Sequence, residues 1–209
     1  MNNEVRIRPA GLSACLLDVP PDLAGTLADH LRDCHARGAL PGVVDVVPGA
    51  RTILLDGAGS DRLTPVLRPL LHAWAGRGTA PAPELVEIEV RYDGPDLADV
   101  AARAGLTEAE MIELHTRAPM RVAFCGFAPG FAYIEGLPAP LRSPRLRTPR
   151  TSVPAGSVAI AEQYTGIYPR PSPGGWRLLG HTSADLWNLD RDEPALLRPG
   201  VHVRFVPVP

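Results

Sequence analysis

Phe124-Cys125-Gly126-Phe127-Ala128-Pro129-Gly130-Phe131-Ala132-Tyr133 sets three phenylalanines and a tyrosine around two glycines and a proline, directly after an apolar run that begins at Met120. Glycine admits backbone angles closed to other residues and lets a neighbour approach closely, while proline interrupts both helix and ladder. The stretch therefore reads as a strand, Met120 to Phe127, running into a tight corner rich in aromatic side chains. Two uses suit such a corner: its rings fill the end of a barrel, or its turn N–H groups face an anion or a carbonyl oxygen. Spacing alone leaves both open.

Working outward, Leu85 to Tyr92 alternates as a strand, and Asp96 to Ala104 and Thr107 to Arg117 read as two short helices. Beyond the corner the helix signal disappears. Val158 to Ala161, Trp176 to Leu179 and His202 to Val206 look like strands, the last introduced by Pro199-Gly200. Residues 84–209 are expected to form a mainly β domain, with a closed barrel as its form. Gly76-Arg77-Gly78-Thr79-Ala80-Pro81-Ala82-Pro83 is the linker, since small residues and two prolines cannot prolong a helix. Residues 1–83 then form a small domain of their own. Val5 to Pro9, Leu12 to Val19, Gly42 to Val47 and Arg51 to Asp56 are its strands. Pro21 to Arg37 is a helix striped by Leu23, Leu27, Leu31 and Cys34. A second helix carries Leu63, Leu67, Leu70, Leu71 and Trp74, with Pro65 and Pro69 predicting a late start or a bend. The fold class is α+β, with an N-terminal sandwich of helices on one face of an antiparallel sheet.

Composition narrows the chemistry. All 21 basic residues are arginine, so a Walker A lysine, a Schiff-base lysine and a biotin-carrying lysine are excluded. A net charge of −2 does not supply the basic field a nucleic-acid binder needs. Cys15, Cys34 and Cys125 lack C-x-x-C spacing, which argues against a structural zinc and for a reducing compartment. No metal is expected. Neither a leader pattern nor a long apolar run is present, so no membrane association and a cytoplasmic location are expected.

Residues 136–184 hold six arginines against one acid, Glu162, and are dense in Gly and Pro. Arg142, Arg145, Arg147 and Arg150 lie on extended or turning backbone, because Pro144 and Pro149 forbid a helical face. Such forks grip carboxylate or phosphate, although solvated surface arginines have the same spacing. His181 is the histidine placed to act as acid or base, being the one within this region. His30, His35, His72 and His115 fall on predicted helices without ligand spacing and read as surface or satisfied core residues. Cys125 with His181 is a nucleophile–base pair in composition only, since nothing local marks an activated thiolate. Gly57-Ala58-Gly59 is rejected as a dinucleotide loop because Arg62 replaces the third glycine.

Several ordered motifs together resemble a known family: the Phe124–Tyr133 run, Val153-Pro154-Ala155-Gly156-Ser157-Val158, Thr165-Gly166-Ile167-Tyr168-Pro169, Ser172-Pro173-Gly174-Gly175-Trp176 and Leu179-Gly180-His181-Thr182. Tyr92-Asp93-Gly94-Pro95-Asp96-Leu97 and Leu197-Arg198-Pro199-Gly200 extend the likeness. They resemble the B subunit of 5-oxoprolinase, a family also called allophanate hydrolase subunit 1 or the carboxyltransferase-domain subunit family, which includes a sporulation histidine-kinase inhibitor. The resemblance implies a C-terminal cyclophilin-like β-barrel. It implies partners, the A and C subunits of that enzyme, and ATP shared among them for the opening of 5-oxo-L-proline to L-glutamate. The alternatives it implies are a carboxyltransferase component of a biotin-dependent urea or amide carboxylase, or a kinase inhibitor without chemistry. Its motifs contain the candidate substrate-binding residues Phe127, Gly130, Tyr133, Ser157, Tyr164, Thr165, Tyr168 and Trp176. Arg150 and the corner loop are expected to bind and stabilise an oxygen, and His181 to move a proton. Where many relatives read A-G-x-Q-T-G, this chain has Ala161-Glu162-Gln163-Tyr164-Thr165-Gly166, replacing a glycine by Glu162 and a glutamine by Tyr164.

Overall fold

The computed structural model describes residues 5–74 and 84–209. The chain divides into two compact units, Met1–Ala82 and Pro83–Pro209. The expected linker, residues 76–83, lies outside the described residues.

In the first unit the elements run β1 (Arg6–Pro9), β2 (Ala14–Asp18), α1 (Pro21–Ala36), β3 (Asp45–Pro48), β4 (Thr52–Asp56) and α2 (Ser60–Ala73). The four strands form an antiparallel sheet in the order β1-β2-β4-β3. Period-two alternation puts Cys15, Leu17, Val46, Ile53 and Leu55 on one face, where Leu27, Leu31 and Cys34 of α1 and Leu63 and Leu67 of α2 cover them. The helix α2 starts at Ser60, ahead of both prolines rather than after them. Pro65 and Pro69 are both exposed, so the carbonyls they leave without a helical donor face water.

The second unit contains β5 (Leu85–Val90), α3 (Leu97–Ala104), α4 (Glu108–Thr116), β6 (Met120–Cys125), β7 (Ala132–Glu135), a 3₁₀ turn (Ala139–Leu141), β8 (Arg150–Val153), β9 (Ser157–Ala161), β10 (Tyr164–Ile167), β11 (Ser172–Gly174), β12 (Arg177–His181) and β13 (His202–Pro207). Thr107 caps α4 in a reciprocal box with Glu110, which fixes where that helix begins. Seven strands make one sheet in the order β12-β9-β10-β7-β6-β13-β5, and β8 pairs with β11 separately. All its neighbours are antiparallel except β13 and β5.

The two outer strands of this sheet nearly close on each other. Just past β5, Arg91 exchanges backbone hydrogen bonds with His181 at the end of β12, each at 2.9 Å. Closure needs Gly180, because a Cβ there would lie 2.0 Å from the Arg91 carbonyl oxygen. Inside the barrel, Ile88, Val122, Ile134, Ile160, Leu179, Val203 and Phe205 meet Val100 of α3 and Met111 of α4. β9 is buried on both faces: Val158 and Ile160 point into this core, while Ala159 and Ala161 join a second cluster with Phe131, Tyr168 and Trp176. That second cluster carries the candidate site.

The second unit has its own continuous core over about 126 residues, which is enough for independent folding. Limited proteolysis is expected to cut first within residues 76–83, releasing a fragment 84–209 that keeps its secondary structure. First cuts inside β5 or β6 would show the boundary to be misplaced.

Candidate active site

Past β6 the backbone makes two turns in succession. The Ala128 N–H donates to the Gly126 carbonyl across Phe127, which is held at φ 71, so Phe127 sits in a γ-turn of the strained hand. The Phe131 N–H then donates to the Ala128 carbonyl across Pro129 and Gly130, the latter at φ 82, a turn that places proline and glycine where each is favoured. Gly130 is buried against Trp187, Leu186 and Pro169, and a Cβ there would meet the Trp187 Cβ at 2.9 Å. The strain raises the Phe127 ring to the surface, 58% exposed.

Seven of the eleven aromatic residues of the chain gather here. Phe124 stacks on Tyr133 at 4.3 Å, and Tyr164 meets both edge-on. Phe131 is the hub, in edge contact with Phe127, Tyr133, Tyr168 and Trp176 at 5.1–5.6 Å. Next to these rings opens a cavity of about 230 Å³, lined by Phe127, Phe131, Tyr133, Tyr168 and Trp176 together with Pro149, Pro173, Gly174, Gly175 and a single charged residue, Arg145. Burial raises the Tyr168 phenol above its ordinary range, against the opposing pull of a backbone hydrogen bond from Trp176 and of the charges on Arg145 and Arg150.

Of the residues singled out from the sequence, Phe127, Tyr133, Tyr168 and Trp176 line this cavity. Tyr164 packs behind it on Phe124 and Tyr133, and Gly130 shapes the turn beneath. Ser157 and Thr165 have partners elsewhere. The Ser157 hydroxyl donates to the Pro154 carbonyl at 2.8 Å, and Thr165 is buried against Nε2 of His115 at 3.2 Å. His115 in turn holds the Tyr92 hydroxyl at its Nδ1, 2.7 Å away. Burial drives the His115 pKa down to about 3 and pushes the Tyr92 phenol well above its usual range. This buried histidine is a satisfied core residue.

Arg150 is not among the cavity-lining residues. Its guanidinium donates to Asp96 at 2.8 Å and to the Trp176 carbonyl at 3.4 Å, and the other oxygen of Asp96 accepts the Leu178 N–H at 2.7 Å. The Asp96 carboxylate thus ties the start of α3 to β8 and β12. Removing the guanidinium leaves a buried carboxylate short of its main partner, so Arg150→Ala is expected to cost about 1.5–3 kcal/mol of stability. Thermal and denaturant melts of the variant check this; an unchanged midpoint would refute it.

His181 is at the other end of the same strand, outside the cavity lining, with its ring half-exposed and Nδ1 2.9 Å from the Asp93 carboxylate. With its Nδ1 hydrogen given to Asp93, the imidazole presents Nε2 outward, a geometry suited to proton transfer. The Cys125 thiol instead donates to the Leu197 carbonyl at 3.4 Å, so the composition-only pairing with His181 is not formed. Asp93 is a functional candidate that the sequence did not single out, and Arg145 is one of four arginines that it offered without a choice among them. Asp93 stands inside the quoted Tyr92–Leu97 motif, and Arg145 within the arginine run.

Glu162 stands at one departure from the resembled pattern, and the structure accounts for the pattern's glycine rather than for the glutamate. Glu162 has φ 52 at the first position of the two-residue loop joining β9 to β10, where hairpins favour glycine. Among the described residues no group of three or more His, Cys, Asp or Glu side chains is placed to hold a metal ion, and no helix is long and apolar enough to cross a membrane.

Residues 5–197 match the family model described as carboxyltransferase domain, subdomain C and D. Over 207 residues the chain is 44% identical to the 5-oxoprolinase B subunit of Escherichia coli O157:H7, spanning 94% of this chain and 93% of that protein. The crystal structure of TTHA0988 superposes with a TM-score of 0.78 and 38% identity over 95% of this chain, which spans only 40% of that protein's length. Urea amidolyase of Kluyveromyces lactis shares the fold, with a TM-score of 0.70 at 17% identity over all of this chain and 15% of its own length. The chain belongs to the carboxyltransferase-domain, subdomain C and D family, alongside relatives named as the B subunit of 5-oxoprolinase.

Proposed function

We propose that this chain is the B subunit of an ATP-dependent 5-oxoprolinase, acting with the A and C subunits in the cytoplasm to open 5-oxo-L-proline to L-glutamate. The observation that carries the reading is 44% identity to a subunit of that name over nearly the whole of both chains. The word subunit itself supports an assembly. A lactam carbonyl is a poor electrophile until its oxygen is phosphorylated or its developing charge is stabilised, and adding water across its C–N bond requires proton transfers to and from the reacting groups. In this reading His181, oriented by Asp93, moves a proton. Arg150 supports the site through Asp96 and Trp176, and the aromatic cavity receives the ring. ATP is shared with the partner subunits, because the chain has no lysine for a Walker A loop.

Co-expression with a homologue of the C subunit is expected to give a stable heteromer on affinity capture and size exclusion. Addition of the A subunit is expected to give 5-oxoproline-dependent ATP hydrolysis with release of glutamate. The single chain is expected to be silent. Turnover by the chain alone, or failure to form the heteromer, would overturn the reading, while carboxyl transfer from a biotinylated carrier would move it to the carboxyltransferase class.

A further inference from the structure

The aromatic cavity has one cation in its lining, Arg145. On one side of Arg145 the Pro144 carbonyl accepts from Arg177 Nε at 3.1 Å; on the other the Leu146 N–H donates to the Gly175 carbonyl at 2.7 Å. The backbone at 145 is thereby pinned to residues 175 and 177, on either side of Trp176. The side chain is exposed and, among the described residues, forms no ion pair or hydrogen bond. Arg150 and Arg177, the other arginines held near Trp176, pair with Asp96 and Asp99; Arg147 and Arg170 are exposed and form no such pair among the described residues, but neither lines the cavity. No acidic residue lines the cavity.

We infer that Arg145 anchors the carboxylate of a small, flat, ring-bearing monoacid whose body lies against Phe127, Phe131, Tyr133, Tyr168 and Trp176. Three features specify that class. A cavity of about 230 Å³ is below the roughly 300–1,000 Å³ range of drug-sized sites, so the ligand is a small metabolite. Five aromatic side chains favour a body with an apolar or planar face over a polyphosphate. One guanidinium fork, with the neighbouring Arg150 already committed to Asp96, matches the single charge of a carboxylate rather than the two or more of a phosphate. Arg145 binds and selects; it moves no proton. The inference deepens the functional reading above by assigning the substrate's carboxylate to a residue, and it takes its probe from that reading.

The test compares 5-oxo-L-proline with 2-pyrrolidinone, the same lactam ring without the carboxylate, titrated by NMR into the full chain and into its complex with the C subunit. Saturable shifts of the Trp176 indole by 5-oxoproline are expected in at least one of the two. Arg145→Gln is expected to weaken that binding about 10–100-fold, with Arg145→Lys in between and 2-pyrrolidinone unaffected by either change. Unchanged melting of Arg145→Gln is the control for folding. Equal binding of 5-oxoproline by wild type and Arg145→Gln, or no saturable binding in either form, overturns the inference. The functional reading is judged separately by turnover. If the assembled enzyme containing Arg145→Gln works at the wild-type KM, the anchor is wrong and the function stands. If the wild-type assembly never consumes 5-oxoproline yet the chain binds it through Arg145, the function is wrong and the anchor stands.

Discussion

His181→Ala, assembled with its partner subunits, is expected to lose about 10²–10⁴-fold in turnover, the usual cost of deleting a positioned proton-transfer group. It is expected to do so without unfolding. The bonds that close the barrel at this residue use its backbone N–H and carbonyl, both of which alanine retains. Only the pairing of the imidazole with Asp93 is lost, and both partners are half-exposed, so the melting temperature should scarcely move. Asp93→Asn should lower turnover less, since the ring remains but its preferred tautomer is no longer enforced. His35→Ala, at the exposed end of α1, should do little. Wild-type rates for an intact His181→Ala assembly would remove His181 from the reaction.

The second large effect is on stability. His115 is fully buried, with its two ring nitrogens joined to the hydroxyls of Tyr92 and Thr165, an arrangement a neutral imidazole satisfies with one donor and one acceptor. Burial lowers its pKa from 6.5 to about 3. Above pH 6.5 it is neutral whether the chain is folded or not, and its contribution is fully present. As the pH falls from 6.5 toward 3, the unfolded chain takes up a proton that the folded chain refuses, so stability is lost by up to about 1.4 kcal/mol per pH unit. Denaturant melts at pH 7 and pH 5 should therefore differ by about 2 kcal/mol, and His115→Gln should remove most of that difference. This window is above the range of Asp18, Asp99 and Glu110, whose partners hold their pKa values below the ordinary carboxylate range. A wild-type stability that is flat between pH 5 and 7 would refute the role.

Local pattern was a good guide wherever one face of an element is buried. Leu27, Leu31 and Cys34 on α1, and Leu63 and Leu67 on α2, are core residues as their spacing requires, because a stripe at helical period has only one way to leave water. The strands β7, β8, β10 and β11 left no clear trace. They are three or four residues long, too short for a period to show, and β11 is Ser-Pro-Gly, which reads equally well as turn. The site divides in the same way. Aromatic density around Gly126 to Gly130 marked the corner, since so many rings at so tight a turn must share one hydrophobic volume. The choice among Arg142, Arg145, Arg147 and Arg150 was not legible, because it depends on Asp96, which lies 54 residues before Arg150 and draws that arginine away. Nor was Asp93, 88 residues before His181, visible as its partner until the barrel brought β5 and β12 together.

The place of β13 in the sheet constrains how the second unit can be made. β5 is laid down first, yet among the sheet's strands its ladder partner is β13, paired from Leu85↔His202 to Val90↔Pro207. At about 5–20 residues per second, a ribosome needs on the order of ten seconds to span that interval. For that time Leu85 to Val90 emerges as a β-prone segment with neither edge occupied, and β6 waits beside the same vacancy. Synthesis therefore passes through a stage with exposed strand edges, when nascent chains are most open to pairing with one another and to capture by chaperones.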